Sequence, residues 1–386
     1  MAFIKNIDKT ADRIKKAIER KEKIIIYGDS DLDGTASVII LEEAIKSLGG
    51  KNTQAYFPDR ENDGYGINEK ALENLKKFLP CILISVDMGI GNWKEVKIGR
   101  KMGFEIIIID HHEILEKLPK ANIIVDPKQK GDKYPFKQLA TVGLVFKLAE
   151  QLFDNKIQEG IRKSFLELAA MATIADMMPR QEDNLAIISE GVNYLRNSWR
   201  PGVQALFGAE EFKGLDLSQK ISKVNSLLNV RDVENNLPAS YRILTSNSKE
   251  EAEKITEKLF QKGAKRREKT QEMVDKISAK FEGDPDPIIF EGGSNLEWDV
   301  ALLGITASLL VQKFRKPVFL HLKGEKESIG SIRTPSGFNV VESMKGFSKK
   351  LMTYGGHPQA AGFRIKNENL EKFKEYLVRY FNNLKF

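Results

Sequence analysis

The first 125 residues alternate between short apolar runs and segments of helical spacing, and this alternation restricts the fold more than any other feature. The segments Thr35–Leu48, Asn68–Leu79 and Asn92–Met102 carry apolar residues three and four positions apart. Around them stand candidate strands rich in β-branched residues: Lys23–Tyr27, Thr53–Phe57, Cys81–Val86, Glu105–Ile109 and Asn122–Val125. Apolar strands separated by helices are typical of a parallel sheet covered on both faces. We therefore predict an α/β fold with an N-terminal doubly wound parallel sheet.

The rest of the chain divides into three parts. From Val142 to Val230 helical patterns dominate. Lys249–Phe281 is highly charged, has no proline and one glycine, and is predicted as a single long helix. A second α/β module then follows, with strands Ile288–Phe290 and Val318–Leu322 around a helix at Leu303–Phe314. We predict an N-terminal domain over 1–245, a connecting helix over 246–283 and a smaller C-terminal α/β domain over 284–386.

Composition excludes several classes of protein. Among 386 residues the single cysteine, Cys81, leaves no disulfide and no cysteine-based zinc site. No apolar run approaches the roughly 20 residues of a membrane span, and the N-terminus lacks the apolar centre of a signal peptide. The formal charge of +7 permits a polyanionic partner without requiring one. We expect a soluble cytoplasmic protein that has no membrane partner.

Acidic residues follow three of the predicted strands. Asp29, Asp31 and Asp33 come after the first strand, Asp87 follows the third, and Asp110-His111-His112 follow the fourth. Open parallel sheets bind ligands outside the carboxyl ends of their strands, so these side chains should meet at one edge. So many carboxylates repel one another unless cations neutralise them. Oxygen-rich sites with one or two imidazoles favour Mn²⁺ or Mg²⁺ over zinc, and a shared aspartate would join two ions.

Simpler explanations exist for single members of this set. A lone aspartate after a strand is usually a turn former or a helix N-cap, which would account for Asp87 alone. The segment Gly28–Gly34 resembles a calcium loop, although it lacks the closing glutamate of an EF-hand. The adjacent His111 and His112 are two of only four histidines in the chain. Taken together, the residues favour a metal site.

A second set of candidate residues lies near the C-terminus. Gly355 and Gly356 precede His357, and paired glycines allow backbone N–H groups to approach an anion. Upstream, Ser331 and Arg333 offer a hydroxyl and a guanidinium that suit phosphate. By itself, a Gly-Gly-His sequence occurs in many turns.

In combination, these motifs resemble the DHH-type phosphoesterases, and specifically the RecJ-like branch of single-stranded-DNA exonucleases. In the first domain the matching segments are YGDSDLDG (Tyr27–Gly34), SVDMGI (Ser85–Ile90), IDHHE (Ile109–Glu113), VGLVFKLAE (Val142–Glu150) and ATIADMMP (Ala172–Pro179). In the last domain they are GSIRTPSGFNV (Gly330–Val340) and YGGHPQAAGF (Tyr354–Phe363). The resemblance implies a DHH domain that carries the metal site and a C-terminal DHHA1 domain that binds substrate.

The resemblance also implies roles for individual residues. Two ions, Mn²⁺ or Mg²⁺, would be held by Asp29, Asp31, Asp33, Asp87, His111 and Asp176, with Asp87 between them. Asp87 would also count as catalytic, together with Asp110 and His112, which orient ligands or contact the scissile phosphate. The substrate would be bound by Lys223, Asn225, Ser331, Arg333, Gly355, Gly356 and His357. In the family the position of Lys223 is an arginine, and Asn229 stands where a second arginine is usual.

The implied activity is metal-dependent hydrolysis of phosphodiester bonds in single-stranded nucleic acid, with DNA favoured, releasing mononucleotides from an end. Its partners would be single-stranded DNA or RNA and replication or repair proteins. Bacterial relatives carry an additional OB-fold, so this sequence is expected to be the catalytic core. Two alternatives stay open at this point: an oligoribonuclease or 3′-phosphoadenosine phosphate phosphatase that acts on short substrates, and a replication-associated binding subunit without activity.

Overall fold

A computed structural model of the protein describes residues 4–59, 66–114, 117–230, 232–294 and 296–384, with the side chain of His357 outside the description. The chain forms two compact units, Met1–Gln261 and Lys262–Phe386. The division falls within a long helix, whereas the predicted domain limits at 245 and 283 lie near that helix's ends. Those limits stay a prediction.

The described strands of the N-terminal unit form one parallel sheet. They are β1 (Lys23–Gly28), β2 (Thr53–Tyr56), β3 (Cys81–Val86), β4 (Glu105–Ile109) and β5 (Ile123–Val125). Their order is β2-β1-β3-β4-β5, and every neighbouring pair is parallel. Because β2 and β3 lie on opposite sides of β1, the direction of winding reverses there and leaves a crevice at the carboxyl ends of β1 and β3.

Helices cover both faces of this sheet, so the predicted doubly wound α/β fold is confirmed. Ile24 and Ile26 of β1 join the core beneath the larger group of helices, while Ile25 and Tyr27 join the core on the opposite face. The helices are α1 (Ile7–Glu19), α2 (Leu32–Ser47), α3 (Glu69–Leu75), α4 (Trp93–Met102), α5 (Thr141–Leu152), α6 (Glu159–Ala175), α7 (Glu182–Leu195), α8 (Pro201–Gly208), α9 (Leu217–Leu228) and α10 (Ala239–Thr245). A two-stranded ladder of β6 (Val233–Glu234) and β7 (Leu237–Pro238) precedes α10.

Three predicted helices differ from the structure by more than one residue at an end. Helix α2 begins at Leu32, three residues before the predicted start at Thr35, because the Asp31 carboxylate caps it. Helix α3 stops at Leu75 and continues as a 3₁₀ turn over Lys76–Phe78, because the residue before Pro80 disfavours helical geometry. In the C-terminal unit, α12 (Val300–Phe314) begins three residues earlier than predicted. The Asp299 carboxylate accepts a hydrogen bond from the N–H of Ala301 at 2.9 Å and caps it.

The C-terminal unit is a smaller α/β structure built on a mixed sheet. The predicted long helix is present as α11 (Lys249–Phe281), which contributes Met273 and Ile277 to this unit's core. The unit's other elements are β8 (Ile289–Ser294), β9 (Val318–Lys323), β10 (Glu327–Arg333), β11 (Leu351–His357), β12 (Ala360–Lys366), α13 (Val340–Lys345) and α14 (Leu370–Asn382). The sheet order is β11-β12-β10-β9-β8, in which β8 and β9 are parallel and the other pairs antiparallel. Across the described residues, no helix has both the length and the apolar character that crossing a membrane requires.

Candidate metal centre

The β1–α2 connection places three aspartates in the crevice. Asp31 caps α2 by accepting a hydrogen bond from the N–H of Gly34 at 3.0 Å, and Asp33 lies in the first turn of that helix. The connection is so tight that a Cβ at Gly34 would lie 2.6 Å from the carbonyl oxygen of Asp29. Only glycine fits there, which explains why the acidic segment ends in Gly34.

The N-terminus of α5 holds two of the carboxylates. The N–H groups of Thr141 and Val142 donate to the two oxygens of Asp33 at 2.9 and 2.8 Å. The Thr141 hydroxyl donates to Oδ1 of Asp87 at 3.0 Å. Helix N-termini stabilise negative charge, so α5 supports two buried carboxylates that arrive from different strands. Sequence reasoning missed Thr141, although the VGLVFKLAE motif begins at the next residue.

Asp87 occupies an unusual backbone conformation at the end of β3. Its φ is +62°, a left-handed geometry that aspartate tolerates better than most residues. Its N–H donates to the carbonyl of Ile109 at 3.0 Å, which keeps the strand ends of β3 and β4 together. The strained Asp87 therefore joins the end of β3 to the end of β4, which leads directly into Asp110.

Asp110 is fully buried and anchors the segment after β4. Its Oδ2 accepts a hydrogen bond from the N–H of Ile90 at 3.0 Å. Its Oδ1 accepts from the N–H of His111 at 2.8 Å and lies 2.7 Å from Nδ1 of His112. Burial by itself would raise the pKa of Asp110, but the hydrogen bond and charge of His112 outweigh it and lower the pKa. The carboxylate thus stays ionised and orients both histidines.

His111 lies among three carboxylates. Its Nε2 is 3.5 Å from Oδ1 of Asp87, 3.5 Å from Oδ2 of Asp176 and 3.9 Å from Oδ2 of Asp33. Burial lowers the pKa of His111 to about 4, which keeps the ring neutral, as a metal ligand must be. Asp176 comes from the C-cap of α6, and its buried Oδ2 has no hydrogen-bond partner among the described residues. An acceptor in that state suits a cation.

Burial and mutual repulsion both raise the pKa values of carboxylates in the cluster. Burial, followed by the charges of Asp176 and Asp31, raises the pKa of Asp33 well above its usual range. Burial, followed by Asp33 and Asp31, does the same to the pKa of Asp87. Burial and Asp31 raise the pKa of Asp176 to about 6. A divalent cation would relieve this repulsion.

The donors fit two neighbouring cations. Within the described residues, three groups of donors have ligand atoms within 4.8 Å of one another: Asp29, Asp31 and Asp87; Asp33, His111 and Asp176; Asp87, His111 and His112. Asp87 and His111 each belong to two groups, so one side chain can face two ions. Carboxylates with one or two imidazoles match the preferences of Mn²⁺ and Mg²⁺. The structure thus brings together all the N-terminal residues that the sequence singled out for this site.

A small cavity adjoins Asp31. Its volume is about 240 Å³, and its walls include Ser30, Phe57, Asn229, Val230 and Ala239. Of the two substrate residues predicted on α9, Asn225 donates to the carbonyl of Ala175 at 3.4 Å, next to Asp176. Lys223 is exposed and makes no hydrogen bond or ion pair in the described part of the chain.

Four of the five predicted substrate residues of the C-terminal unit, all except Gly356, share one face of its sheet. By backbone register Ser331 lies beside Gly362, which lies beside Gly355, and Arg333 lies beside Ala360. Ala360 in turn pairs with His357, whose side chain is outside the described residues. The Arg333 guanidinium donates to the Ser331 hydroxyl at 3.2 Å and contacts no described carboxylate. A half-buried guanidinium in that state suits an anionic ligand.

The two glycines of β11 differ in their surroundings. Gly356 has φ +141°, and a Cβ there would lie 2.3 Å from the carbonyl oxygen of Ala360. A Cβ at Gly355 would meet no atom within 4 Å. Gly356 is therefore required by the backbone of the hairpin, whereas Gly355 leaves open space on the face that carries Ser331 and Arg333.

Comparison with known proteins shows which families this chain is similar to. The DHH family, N-terminal domain, matches residues 23–173, and the DHHA1 domain matches residues 288–383. The single-stranded-DNA-specific exonuclease RecJ of Bacillus subtilis (strain 168) is 34% identical over 98% of this chain and 48% of its own length. The chain thus spans about half the length of that relative.

Two solved structures have the same fold. A crystal structure of exonuclease RecJ bound to manganese has a TM-score of 0.84 at 24% identity and covers 99% of this chain and 96% of its own. RecJ from Thermus thermophilus in complex with Mn²⁺ has a TM-score of 0.84 at 23% identity, over 99% of this chain and 55% of its own. Both the motifs and the two domain matches lead to one conclusion: the chain belongs to the DHH/DHHA1 family, and RecJ exonucleases are among its relatives.

Proposed function

We propose that the chain is a metal-dependent exonuclease that hydrolyses phosphodiester bonds of single-stranded nucleic acid from an end and releases mononucleotides. The observation that carries this proposal is the pair of overlapping donor groups that meet at Asp87 in the crevice between β1 and β3. DNA is the favoured substrate because the relatives are named as single-stranded-DNA-specific exonucleases. Replication or repair proteins are the partners that such a substrate suggests.

Two Mn²⁺ or Mg²⁺ ions would be held by six of the clustered side chains. Asp29 and Asp31 would hold one ion, Asp33, His111 and Asp176 the other, and Asp87 would lie between them. Bound there, such ions lower the pKa of a water molecule and stabilise negative charge on a phosphoryl group. The hydrogen bonds that α5 donates to Asp33 and Asp87 would fix both carboxylates before any ion arrives.

His112 is proposed to contact the scissile phosphate. Its Nδ1 is engaged by Asp110 at 2.7 Å, which leaves Nε2 as the ring atom available to a substrate oxygen. The side chain is 44% exposed, unlike that of His111, so a substrate can reach it. The bond to Asp110 orients the ring and favours its protonated form, the form that donates to a phosphate oxygen.

The remaining predicted residues are proposed to bind the substrate. Arg333 and Ser331 would hold a phosphate, while the open space at Gly355 would admit the sugar-phosphate chain next to them. Gly356 and His357 complete the hairpin beside that face. Lys223 would contact phosphate as a single ammonium, and Asn225 would support the end of α6. Because lysine cannot make the two-pronged contact of an arginine, we expect a weaker hold on phosphate at this position.

Digestion of end-labelled strands tests the proposal. Purified protein would be incubated with 5′- or 3′-labelled single-stranded DNA and RNA, with Mn²⁺ or with EDTA, alongside Asp87→Asn. Asp154→Asn is the matched control, since Asp154 also has a positive φ but is exposed and pairs with Lys15. Stepwise shortening that requires Mn²⁺, disappears in Asp87→Asn and persists in Asp154→Asn is the expected result.

Other outcomes would replace the proposal. Cleavage of dinucleotides or 3′-phosphoadenosine phosphate, with long strands left intact, would indicate an enzyme for short substrates. Binding of strands without cleavage in either metal would indicate a binding subunit.

A further inference from the structure

The turn that follows Asp176 contains a methionine where glycine is the usual residue. Helix α6 ends with Asp176 as its cap, and the N–H groups of Met177 and Met178 donate to the carbonyls of Ile174 and Thr173 at 3.1 and 3.3 Å. This pair of hydrogen bonds defines a Schellman motif, in which the residue directly after the helix C-cap adopts left-handed geometry. Met177 occupies that position with φ +55°.

Packing does not compensate for this strain. The Met177 side chain is 89% exposed, so its apolar surface returns little burial energy to the fold. The same motif ends α1 at Lys21, which also has a positive φ of 55° and is exposed. Exposure is ordinary for the charged side chain of Lys21, whereas exposure of the apolar Met177 side chain to water is unfavourable. A strained and exposed apolar residue calls for a functional explanation.

The location of Met177 supplies one. It follows Asp176 directly, so the two Cα atoms are about 3.8 Å apart. Oδ2 of Asp176 lies 3.5 Å from Nε2 of His111, inside the candidate metal centre. The turn is pinned from the other side by Asn184, whose amide donates to the carbonyl of Pro179 at 3.1 Å. An exposed apolar residue is thus the immediate chain neighbour of a member of the donor cluster, in a turn whose backbone is held by hydrogen bonds.

We propose that Met177 contacts the nucleobase of the nucleotide that is cleaved, an inference that rests on the proposed nuclease function. A thioether makes favourable contacts with aromatic rings and is flexible enough to accept purines and pyrimidines. Contact with the face of a base does not depend on its identity, as an exonuclease that shortens any sequence requires. Met177 is therefore a substrate-positioning residue that favours a terminal nucleotide with a base.

A two-by-two comparison of protein and substrate tests this contact. Wild type and Met177→Ala would be assayed on two end-labelled strands whose terminal nucleotide either carries its base or is abasic. We expect Met177→Ala to lower kcat/KM about fivefold on the normal strand. The abasic strand should lower kcat/KM for wild type by a similar factor, and Met177→Ala should cause no further loss on it.

Glycine variants separate the role of the side chain from that of the backbone. Met177→Gly should lose kcat/KM as Met177→Ala does, while its Tm rises because glycine relieves the positive φ. Lys21→Gly should raise Tm at the matching turn of α1 and leave kcat/KM unchanged. Met177→Leu, which keeps an apolar side chain of similar size, should stay close to wild type.

The inference fails if Met177→Ala is active at wild-type level on the normal strand, or if it slows both strands equally, since a structural effect ignores the base. It also fails if wild type does not distinguish the two strands. If wild type cleaves neither strand, the proposed function is wrong, and this inference falls with it.

Discussion

Replacing Asp87 by asparagine should stabilise the metal-free protein while abolishing its response to Mn²⁺. Asparagine has the same shape as aspartate, retains an oxygen to accept the hydrogen bond from Thr141, and tolerates the φ of +62° at least as well. The substitution therefore removes a charge and little else. In the absence of metal that charge is unfavourable, because burial and the neighbouring carboxylates raise the pKa of Asp87.

The size of the effect follows from the geometry. Ligand atoms of Asp87 lie within 4.8 Å of those of Asp29 and Asp31. At an effective dielectric constant of about 20, one such pair of full charges repels by roughly 3.5 kcal/mol. Partial protonation of the cluster lowers that repulsion energy. We therefore expect Asp87→Asn to raise the free energy of unfolding of the metal-free protein by about 1–3 kcal/mol at pH 7. For a unit of this size that gain raises Tm by roughly 2–10 °C.

Thermal unfolding with EDTA and with excess Mn²⁺ measures both halves of this prediction. Wild type should gain Tm on addition of Mn²⁺, because a ligand that binds only the folded state stabilises it. Asp87→Asn should begin higher in EDTA and gain little from the metal, while Asp154→Asn should follow wild type in both. A Tm for Asp87→Asn below that of wild type in EDTA would refute the repulsion argument. An undiminished response to Mn²⁺ would refute the central place of Asp87 in the metal site.

Three further perturbations test other parts of the structure. Thr141→Val removes the hydroxyl that supports Asp87 and should weaken Mn²⁺ binding at least tenfold in calorimetric titration; unchanged affinity would contradict that role. Burial raises the pKa of Asp126 to about 7, so the folded state keeps a proton that the unfolded state has lost. Asp126 should therefore lower the free energy of unfolding by up to about 4 kcal/mol as pH rises from 4 to 7, in addition to the carboxylates of the metal centre, and Asp126→Asn should remove that share of the slope in urea titrations at several pH values with EDTA. In the C-terminal unit, Gly356→Ala should lower Tm by several degrees through its clash with the neighbouring strand, whereas Gly355→Ala should leave Tm unchanged and reduce nuclease activity; equal Tm values for the two variants would contradict the described hairpin.

The sequence predicted the N-terminal fold because its signals are local. Alternating apolar runs and helical spacing depend on residues a few positions apart, and strands β3 and β4 and helix α11 have the predicted bounds. The parallel arrangement then determines, without further information, that the residues after β1, β3 and β4 converge. The cluster of Asp33, Asp87 and Asp110 could be predicted on that basis, and its role in metal binding stays a prediction.

Contacts between segments far apart in the chain could not be predicted from sequence patterns. Asp176 approaches His111 only because α6 packs against α2 and α5, and the spacing of residues along the chain does not predict that approach; the family resemblance alone singled it out. Thr141 reaches Asp33 and Asp87 because α5 begins where the crevice opens. The different needs of Gly355 and Gly356 likewise depend on the strand opposite them.

What the sequence determined by itself was therefore the set of elements, the winding of the first sheet and the edge at which its carboxylates gather, since each follows from short-range periodicity and from the geometry of parallel strands. The tertiary structure decided which acceptors receive hydrogen bonds, which carboxylates lie close enough to repel one another, and that a strained Met177 stands exposed beside Asp176. Those properties depend on distances of a few ångströms between segments far apart in the chain, and only packing sets such distances.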